Sequence, residues 1–321
     1  MELNEYLQKA ADIVDKELFR NYGSVFAELD KAAAHLLLAG GKRIRPAVVM
    51  LGAEAVRRGS AMEILPAALA LEVTHTFTLI HDDIMDGDSI RRGVPTVHTL
   101  WDEATAILAG DVLYAQAFEL MTKAIAPDNA RVKAVMLLAR TCVDICQGQH
   151  MDITFASRND VTEMEYLDMV NKKTGALIAA AAAAGGMLAG GTAMQVKALY
   201  DWGVNSGIAF QIQDDLIDLL ADAQQSGKDR ASDLREGKQT LIAIRAREMG
   251  VDLSPYRRAD LADAEIDSAI RNLDGAGVIQ NVRDMSAEKV AIAKKALHNL
   301  PESEERVLLS QLTDYFVTRG F

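Results

Sequence analysis

The chain has 321 residues, of which 50% are hydrophobic and 25% charged, an ordinary globular composition that is too long for a minimal domain. Its net charge of −12, from 34 basic and 46 acidic residues, argues against a protein that binds nucleic acid through a basic surface. Good helix formers dominate, and aromatic residues are only 5% of the chain. We therefore expect an all-α protein that does not bind nucleic acid.

Hydrophobic periodicity supports this fold class along the chain. Apolar residues recur at helical spacing in segments such as VFAELDKAAAHLLLA and VKAVMLLARTCVDIC, and no run shows sustained two-residue alternation. No fixed-period repeat, low-complexity linker or shift in composition divides the sequence. We therefore expect one domain over residues 1–321.

Targeting and redox signals favour a cytoplasmic protein. The N-terminal segment MELNEYLQKAADIVDKEL is charged and amphipathic, without a signal-peptide core. Cys142 and Cys146 lie four residues apart in a helical pattern, where a disulfide is implausible and a zinc site lacks its other ligands. We expect both to be buried free thiols.

Residues 174–196 carry no charge over a length that could span a membrane. Their high alanine and glycine content makes the segment only weakly hydrophobic. We expect Gly185 and Gly186 to break it into two tightly packed core helices, without stable membrane insertion.

The segment LIHDDIMD places three aspartates after an apolar stretch. An ideal helix turns about 100° per residue, so Asp82 and Asp86 lie about 40° apart, and Asp83 lies about 100° from Asp82. Clustered carboxylates raise the energy of the unliganded protein unless a cation neutralises them. Mg²⁺ does so through oxygen ligands, typically one or two carboxylates plus substrate phosphates. For this motif alone, a solvated acidic helix end is the alternative.

The same spacing recurs in AFQIQDDLIDLLAD, where Asp214, Asp215 and Asp218 again follow an apolar helical stretch. The two motifs are far enough apart in sequence for two different helices to face each other across a cavity. Two DDxxD motifs in one helical chain are much more specific for a metal site than one motif.

Basic residues lie beside these motifs. The segment GGKRIRP is predicted to end one helix at its glycine pair and to open the next, with Pro46 in the first turn. The basic residues are Lys42, Arg43, Arg45, Arg91 and Arg92. Their guanidinium and ammonium groups suit diphosphate oxygens, so the motifs together indicate a pocket for pyrophosphate esters. For GGKRIRP alone, a solvated basic helix start is the alternative.

Three weaker signals agree. KKTG precedes the alanine-rich segment. After the second aspartate motif, GKDRASDLREGKQT puts Lys228 and Lys238 in a stretch interrupted by glycines, which could form a mobile lid over a bound phosphate. His75 lies seven residues before Asp82, about 20° away on an ideal helix, which would let it face the same cavity. Solvated loops and an ordinary core histidine are the alternatives.

The motif set resembles that of the trans-type isoprenyl diphosphate synthases, and the archaeal-like geranylgeranyl diphosphate synthases are the most similar. It consists of GGKRIRP, HDDIMD followed by RRGVPT, KTGAL, FQIQDDLID and GKDRASDLREGKQT, in that order. The resemblance implies the isoprenoid synthase fold, a single large helical bundle around a deep central cavity, in a homodimer. It also implies head-to-tail condensation of isopentenyl diphosphate with dimethylallyl, geranyl or farnesyl diphosphate.

The resemblance also assigns roles to individual residues. Three Mg²⁺ ions would be held by Asp82, Asp86 and Asp214, with support from Asp83, Asp215 and Asp218. Isopentenyl diphosphate would be held by Lys42, Arg45, His75 and Arg92, with help from Arg43. The allylic diphosphate would be held by Arg91, Lys173, Lys228 and Lys238. The allylic cation would be flanked by Thr174 and Gln211.

Product length depends on the floor of the cavity. In the family, an aromatic residue five positions before the first aspartate is associated with products near C20, and Phe77 holds that position. Helical geometry agrees less well, because Phe77 lies about 140° from Asp82, whereas Thr78 and His75 lie more nearly beneath the carboxylates. We expect geranylgeranyl diphosphate, with Phe77 and Thr78 as floor residues and farnesyl or longer products as alternatives.

Three other classes compete with this interpretation. A terpene cyclase would leave GGKRIRP unexplained, since it binds no second diphosphate substrate. A non-catalytic regulatory subunit of a prenyl synthase typically loses aspartates from one motif, and both motifs are intact here. A purely structural bundle would have no use for two carboxylate clusters.

Overall fold

Helices dominate the chain, which confirms the predicted all-α class. The computed structural model describes residues 2–220 and 230–318, so Lys228 lies outside the described residues. The helices of the N-terminal half are α1 (Leu3–Tyr22), α2 (Glu28–Leu38), α3 (Ile44–Glu54), α4 (Leu65–Asp86), α5 (Val97–Leu100), α6 (Glu103–Thr122) and α7 (Asp128–Phe155). A small antiparallel hairpin, β1 (Ile90–Arg91) and β2 (Val94–Pro95), follows α4.

The C-terminal half continues the pattern with α8 (Glu163–Val170), a π-helical turn (Asn171–Gly175), α9 (Ala176–Leu188) and α10 (Ala193–Leu220). Beyond residue 229 the helices are α11 (Ser232–Glu236), α12 (Leu241–Glu248), α13 (Asp263–Gly275), α14 (Val278–Ala296) and α15 (Glu304–Thr318). Short 3₁₀ turns occupy Ser254–Tyr256 and Leu297–Asn299.

The chain divides into two compact units. The first unit comprises Met1–Arg140, Ala180–Tyr200 and Asn299–Leu309, and the second comprises Thr141–Ala179, Asp201–His298 and Ser310–Phe321. GGKRIRP and the first aspartate motif therefore belong to the first unit, and KKTG and the second aspartate motif belong to the second.

Helix α4 carries the first aspartate motif at its C-terminal end. Pro66 occupies its first turn, where a missing backbone N–H costs nothing, and apolar side chains bury the helix against α3 and α6. The helix stops at Gly87, whose φ of 70° is left-handed and whose N–H donates to the carbonyl of Asp83. The motif is thereby fixed in the last turn of a buried helix.

The Gly185–Gly186 pair does not break its helix, so that prediction was wrong. Helix α9 runs through both glycines, because they serve close packing against α3. A Cβ at Gly185 would lie 2.0 Å from the carbonyl oxygen of Val49, and a Cβ at Gly52 would lie 2.4 Å from that of Ala182. The chain turns later, at Gly190, where φ is 87°.

The thiol prediction holds for one cysteine. Cys142 is buried, and burial raises the pKa of its thiol to about 12. Cys146 is exposed, so the expectation of two buried thiols was wrong. On α7 it lies about 40° around the helix from Cys142, at the edge of the buried face. Among the helices that the structure describes, none is long and apolar enough to cross a membrane.

The close approach of α3 and α9 predicts a strong effect of one added methyl group. We expect Gly185→Ala to lower the free energy of unfolding by about 1–3 kcal/mol, because the new Cβ meets backbone that cannot move independently. Gly275→Ala is the matched control, since an added Cβ there meets nothing within 4 Å. Chemical denaturation followed by circular dichroism measures both variants, and equal midpoints would contradict the packing argument.

Candidate active site

The first aspartate motif presents two accessible carboxylates and one buried one. Asp82 is partly exposed and Asp86 is exposed, whereas Asp83 is completely buried. All three lie in the last turn of α4, where the helix dipole places partial negative charge. Like charges at this end of a helix are unfavourable, so the site favours a cation.

Asp83 anchors the hairpin that follows the motif. Arg91 Nε donates to Asp83 Oδ1 at 2.6 Å, and Arg91 Nη2 donates to Asp88 at 2.6 Å. Burial raises the pKa of Asp83, while the Arg91 charge opposes that shift. Asp83 thus binds a protein cation, which agrees with a supporting part in the motif.

Arg92 holds the glycine turn of GGKRIRP. Its Nη1 donates to the carbonyl oxygens of Leu36 and Gly40 at 3.1 and 2.7 Å. A Cβ at Gly41 would lie 3.2 Å from Arg92 Cζ, so the turn and the guanidinium fit closely. As predicted, α2 ends before the glycines and α3 begins after them, with Pro46 in its first turn.

Arg43 requires a correction, because its side chain is 1% exposed and its donors are used inside the protein. Nε donates to Asp15 at 2.7 Å, Nη1 to Glu72 at 2.6 Å, and Nη2 to the Leu37 carbonyl at 2.6 Å. Burial lowers the pKa of Arg43, but the two carboxylates outweigh it and raise the pKa overall. The geometry assigns Arg43 to the interior rather than to a diphosphate.

His75 lies among the basic residues of this unit. Burial lowers the pKa of His75 well below its usual value, and the charges of Arg45 and Arg92 lower it further. The charges of Arg45 and Arg92 therefore both act on the His75 imidazole and favour its neutral form. Lys42 is exposed on the adjoining loop.

Phe77 is fixed between two helices. It is buried in α4, with its ring edge-to-face against His81 at 6.0 Å and against Tyr114 of α6 at 5.3 Å between centroids. The His81 ring lies over Gly110, where a Cβ would approach Nε2 to 2.1 Å. Thr78 is partly buried, and its hydroxyl donates to the His75 carbonyl at 2.8 Å. Phe77 is thus held by α6 as well as by its own helix.

KKTG forms the π-helical turn of the second unit. π turns are rare and often mark functional sites. Lys173 forms an ion pair with Asp152, and the Thr174 hydroxyl donates to Gln211 Oε1 at 3.1 Å. The turn packs closely against α7, since a Cβ at Gly148 would lie 2.5 Å from the Lys173 nitrogen. The structure thus joins the predicted residues Thr174 and Gln211.

The second aspartate motif also combines accessible and buried carboxylates. Asp214 is partly exposed, whereas Asp215 is 5% exposed. Asp215 accepts hydrogen bonds from the Tyr166 hydroxyl at 2.6 Å and from Gln211 Nε2 at 3.1 Å. Burial raises the pKa of Asp215, Asp233 acts in the same direction, and the two hydrogen bonds oppose the shift.

Asp218 and Lys238 are linked through Asp233. Asp218 accepts from the Ser232 hydroxyl at 2.6 Å and from the Asp233 backbone N–H at 3.0 Å. Lys238 forms ion pairs with Asp233 at 3.0 Å and Glu236 at 3.1 Å. Burial lowers the pKa of Lys238, but these carboxylates reverse the effect and raise it. A predicted lysine is therefore brought beside the second motif.

Sequence reasoning missed several partners of these residues, among them Glu72, Asp152, Tyr166 and Asp233. Most lie within a helical pattern or a charged loop, where nothing local marks them. A charged residue at a buried position of an apolar run, such as Glu72, was the available signal.

The accessible carboxylates fit a divalent ion. Among residues 2–220 and 230–318, no three His, Cys, Asp or Glu side chains are grouped closely enough to hold a metal by themselves. Asp82 and Asp86 of the first unit, and separately Asp214 of the second, nevertheless offer hard oxygen donors, and Mg²⁺ usually takes one or two carboxylates together with waters and substrate phosphates. Each motif by itself suits an ion whose other ligands come from a diphosphate.

Comparison with known proteins identifies the family. A profile described as polyprenyl synthetase matches residues 26–266. The geranylfarnesyl diphosphate synthase of Natronomonas pharaonis is 45% identical over 308 residues, 91% of this chain and 90% of that protein. The solved geranylgeranyl pyrophosphate synthetase of Geoglobus acetivorans has a TM-score of 0.91 and 43% identity, covering 98% of this chain and 99% of that one.

A further solved relative carries ligands. The polyprenyl synthase of Caulobacter crescentus, complexed with calcium and isoprenyl diphosphate, has a TM-score of 0.84 and 31% identity, covering 99% of this chain and 98% of that one. The family resemblance predicted from the motifs is confirmed. The chain therefore belongs to the polyprenyl synthetase family, as a short-chain trans-isoprenyl diphosphate synthase.

Proposed function

We propose that this enzyme makes geranylgeranyl diphosphate, by adding isopentenyl diphosphate to dimethylallyl, geranyl and farnesyl diphosphates in turn. The observation that carries the product length is the enclosure of Phe77 between His81 and Tyr114, five residues before the first aspartate. A large ring held from two sides cannot rotate away from a growing chain. In the family that the motifs indicate, an aromatic residue at this position is associated with products near C20, and that association supports the proposed length.

The relatives leave a second product in contention. The Natronomonas pharaonis relative is named for geranylfarnesyl diphosphate, one isoprene unit longer than the product named for the Geoglobus acetivorans relative. A longer product would require the floor to lie beyond Phe77. Farnesyl diphosphate would require a higher floor, for which Thr78 is the candidate.

Isopentenyl diphosphate binds, in this proposal, at the basic cluster of the first unit. Arg45 and Arg92 supply charge near the neutral ring of His75, which can donate one N–H to a diphosphate oxygen. Lys42 adds a cation from the exposed loop. Arg43 is left out, because its side chain is 1% exposed and its donors bind inside the protein, whereas the Arg92 side chain is 19% exposed.

The allylic diphosphate binds through Arg91, Lys173 and Lys238, with Lys228 outside the described residues. Asp82, Asp86 and Asp214 would hold three Mg²⁺ ions, and Asp83, Asp215 and Asp218 would support them. When bound, the ions neutralise the diphosphate and stabilise charge on the leaving pyrophosphate. The calcium in the Caulobacter crescentus relative supports divalent metal use.

The proposed reaction uses these residues in sequence. The C–O bond of the allylic diphosphate breaks and its electron pair leaves with pyrophosphate. The hydroxyl of Thr174 donates to the amide oxygen of Gln211, and in this proposal the two oxygens would flank the allylic carbon and stabilise its positive charge. The double bond of isopentenyl diphosphate then forms the new C–C bond, and pyrophosphate removes the proton that restores a double bond.

We also propose a homodimer. Helix α6 exposes Ile107 and Leu108, and the start of α7 exposes Val132 and Met136, side chains that a second copy would bury favourably. A non-catalytic regulatory subunit is the competing function. The intact aspartates, with accessible Asp82 and Asp214, favour the enzyme.

Product analysis tests the chain length. With Mg²⁺, labelled isopentenyl diphosphate and each allylic primer, we expect a dominant C20 alcohol after dephosphorylation. Phe77→Ala should lengthen the main product by at least one isoprene unit, because the ring no longer stops the chain. The control Phe19→Ala removes the same side chain from an exposed position and should leave the product unchanged. A C25 product from the wild type would overturn our proposal on length and leave the family assignment intact.

Metal dependence is tested at Asp82. We expect Asp82→Ala to lower kcat by at least about a hundredfold with the circular dichroism spectrum unchanged, because one metal ligand is lost. The exposed Asp284 supplies a control, Asp284→Ala, which should retain full activity. Chelation with EDTA should abolish wild-type turnover, and Mg²⁺ should restore it. Full activity of Asp82→Ala at low Mg²⁺ would refute the assignment.

The pH dependence of the free energy of unfolding tests whether folded His75 is neutral. An unfolded histidine titrates near pH 6.5, whereas the folded pKa of His75 is lower, so the unfolded state takes up a proton first as the pH falls. The contribution of the neutral His75 to the free energy of unfolding is therefore present above about pH 6.5 and is lost as the pH falls below that value. Between about pH 7.5 and 5.5 the wild type should lose on the order of 1 kcal/mol more than His75→Asn.

The control for this measurement is His298→Asn, which changes an exposed histidine. Urea denaturation at the two pH values compares all three proteins. Identical losses for wild type and His75→Asn would show that the imidazole is not held neutral.

A further inference from the structure

We propose that Tyr166 is a positioning residue, which acts through Asp215 to fix the amide of Gln211 with its carbonyl oxygen toward Thr174 and the reacting carbon. The inference rests on the proposed function, because it takes the roles of Thr174 and Gln211 from it. It gives Asp215 a task other than direct metal binding. All four residues belong to the second unit.

The direction of the Gln211 amide follows from its two neighbours. Its Nε2 donates to Asp215 Oδ1 at 3.1 Å, and its Oε1 accepts from the Thr174 hydroxyl at 3.1 Å. In this arrangement both Asp215 oxygens act as acceptors, one from Gln211 Nε2 and the other from the Tyr166 hydroxyl, so a flipped amide would bring one acceptor oxygen against another. Asp215 therefore selects one of the two orientations, whereas a hydroxyl such as Thr174 could pair with either.

Tyr166 in turn fixes Asp215. Its side chain is 2% exposed, and its hydroxyl donates to Asp215 Oδ2 at 2.6 Å. One carboxylate oxygen of Asp215 thus accepts from Tyr166 in α8. The other accepts from Gln211, which lies in α10 together with Asp215. At this depth a carboxylate oxygen without a donor is costly, so the pair of hydrogen bonds defines the carboxylate plane.

The orientation matters because charge develops on the substrate. An amide oxygen carries partial negative charge and stabilises an allylic cation, whereas the NH₂ group would oppose it. The cation forms only after the C–O bond ionises, so the contribution acts on the transition state rather than on substrate binding. Loss of orientation should therefore lower kcat with little effect on KM.

A double-mutant cycle separates positioning from general support. The variants are Tyr166→Phe, which removes only the hydroxyl, Gln211→Leu, which removes the amide, and their combination. Tyr22→Phe is the matched control, since Tyr22 is a buried tyrosine of α1 in the first unit. For each protein, kcat, both KM values and the Mg²⁺ concentration at half-maximal rate are measured, with thermal unfolding as a check on folding.

We expect Tyr166→Phe to lower kcat about tenfold, with KM values and Mg²⁺ half-saturation within about twofold of wild type. In the Gln211→Leu background the same change should alter kcat less than about twofold, because no amide remains to be oriented. Tyr22→Phe should match the wild type.

Other outcomes overturn the proposal in distinguishable ways. A raised Mg²⁺ half-saturation in Tyr166→Phe would mean that Asp215 serves the metal, and additive losses in the double variant would mean that Tyr166 does not act through Gln211. An unchanged kcat in Tyr166→Phe also refutes it. Unchanged kcat in Gln211→Leu would remove the proposed role of Gln211 itself, independently of Tyr166.

Discussion

Like charge gathered in the last turn of a buried helix is the constraint on which the first unit depends. Asp82, Asp83 and Asp86 lie where the dipole of α4 is already negative, so nearby cations stabilise this end of the helix. The protein provides one itself, in Arg91, and buries Asp83 against it. Asp82 and Asp86 remain accessible to solvent, and in our proposal they hold ions that arrive with the substrate.

The basic side of the site shows the complementary arrangement. Arg43 and Arg92 converge on Glu72, a buried carboxylate of α4, at 2.6 and 3.5 Å. A buried ion pair contributes little net stability, because desolvation offsets most of the attraction. Its effect here is geometric, since it ties the glycine turn, the hairpin and α4 to one carboxylate. In our proposal the neighbouring cations Lys42, Arg45 and Arg92 bind isopentenyl diphosphate, whereas Arg43 serves the interior.

Much of this could be predicted from local sequence. Helical periodicity and the ends at Gly40 and Gly87 follow from residue preferences, and the DDxxD spacing puts Asp82 and Asp86 on one face. The role of Arg43 could not be predicted, because its partners Asp15 and Glu72 lie far away in the chain. Gly185 was misread for a related reason: a glycine that permits close packing and a glycine that ends a helix look alike in one sequence.

The π-helical turn at Asn171–Gly175 has a consequence for how the chain can vary. Such a turn holds one residue more than an α-helical turn, so deleting one residue here would narrow it to regular helix while the helices on either side could keep their faces. The side chains of the turn itself would be displaced, so Lys173 and Thr174 would leave Asp152 and Gln211. A change of length that the fold itself could tolerate should therefore impair the function of this segment, unlike a change of length in a surface loop.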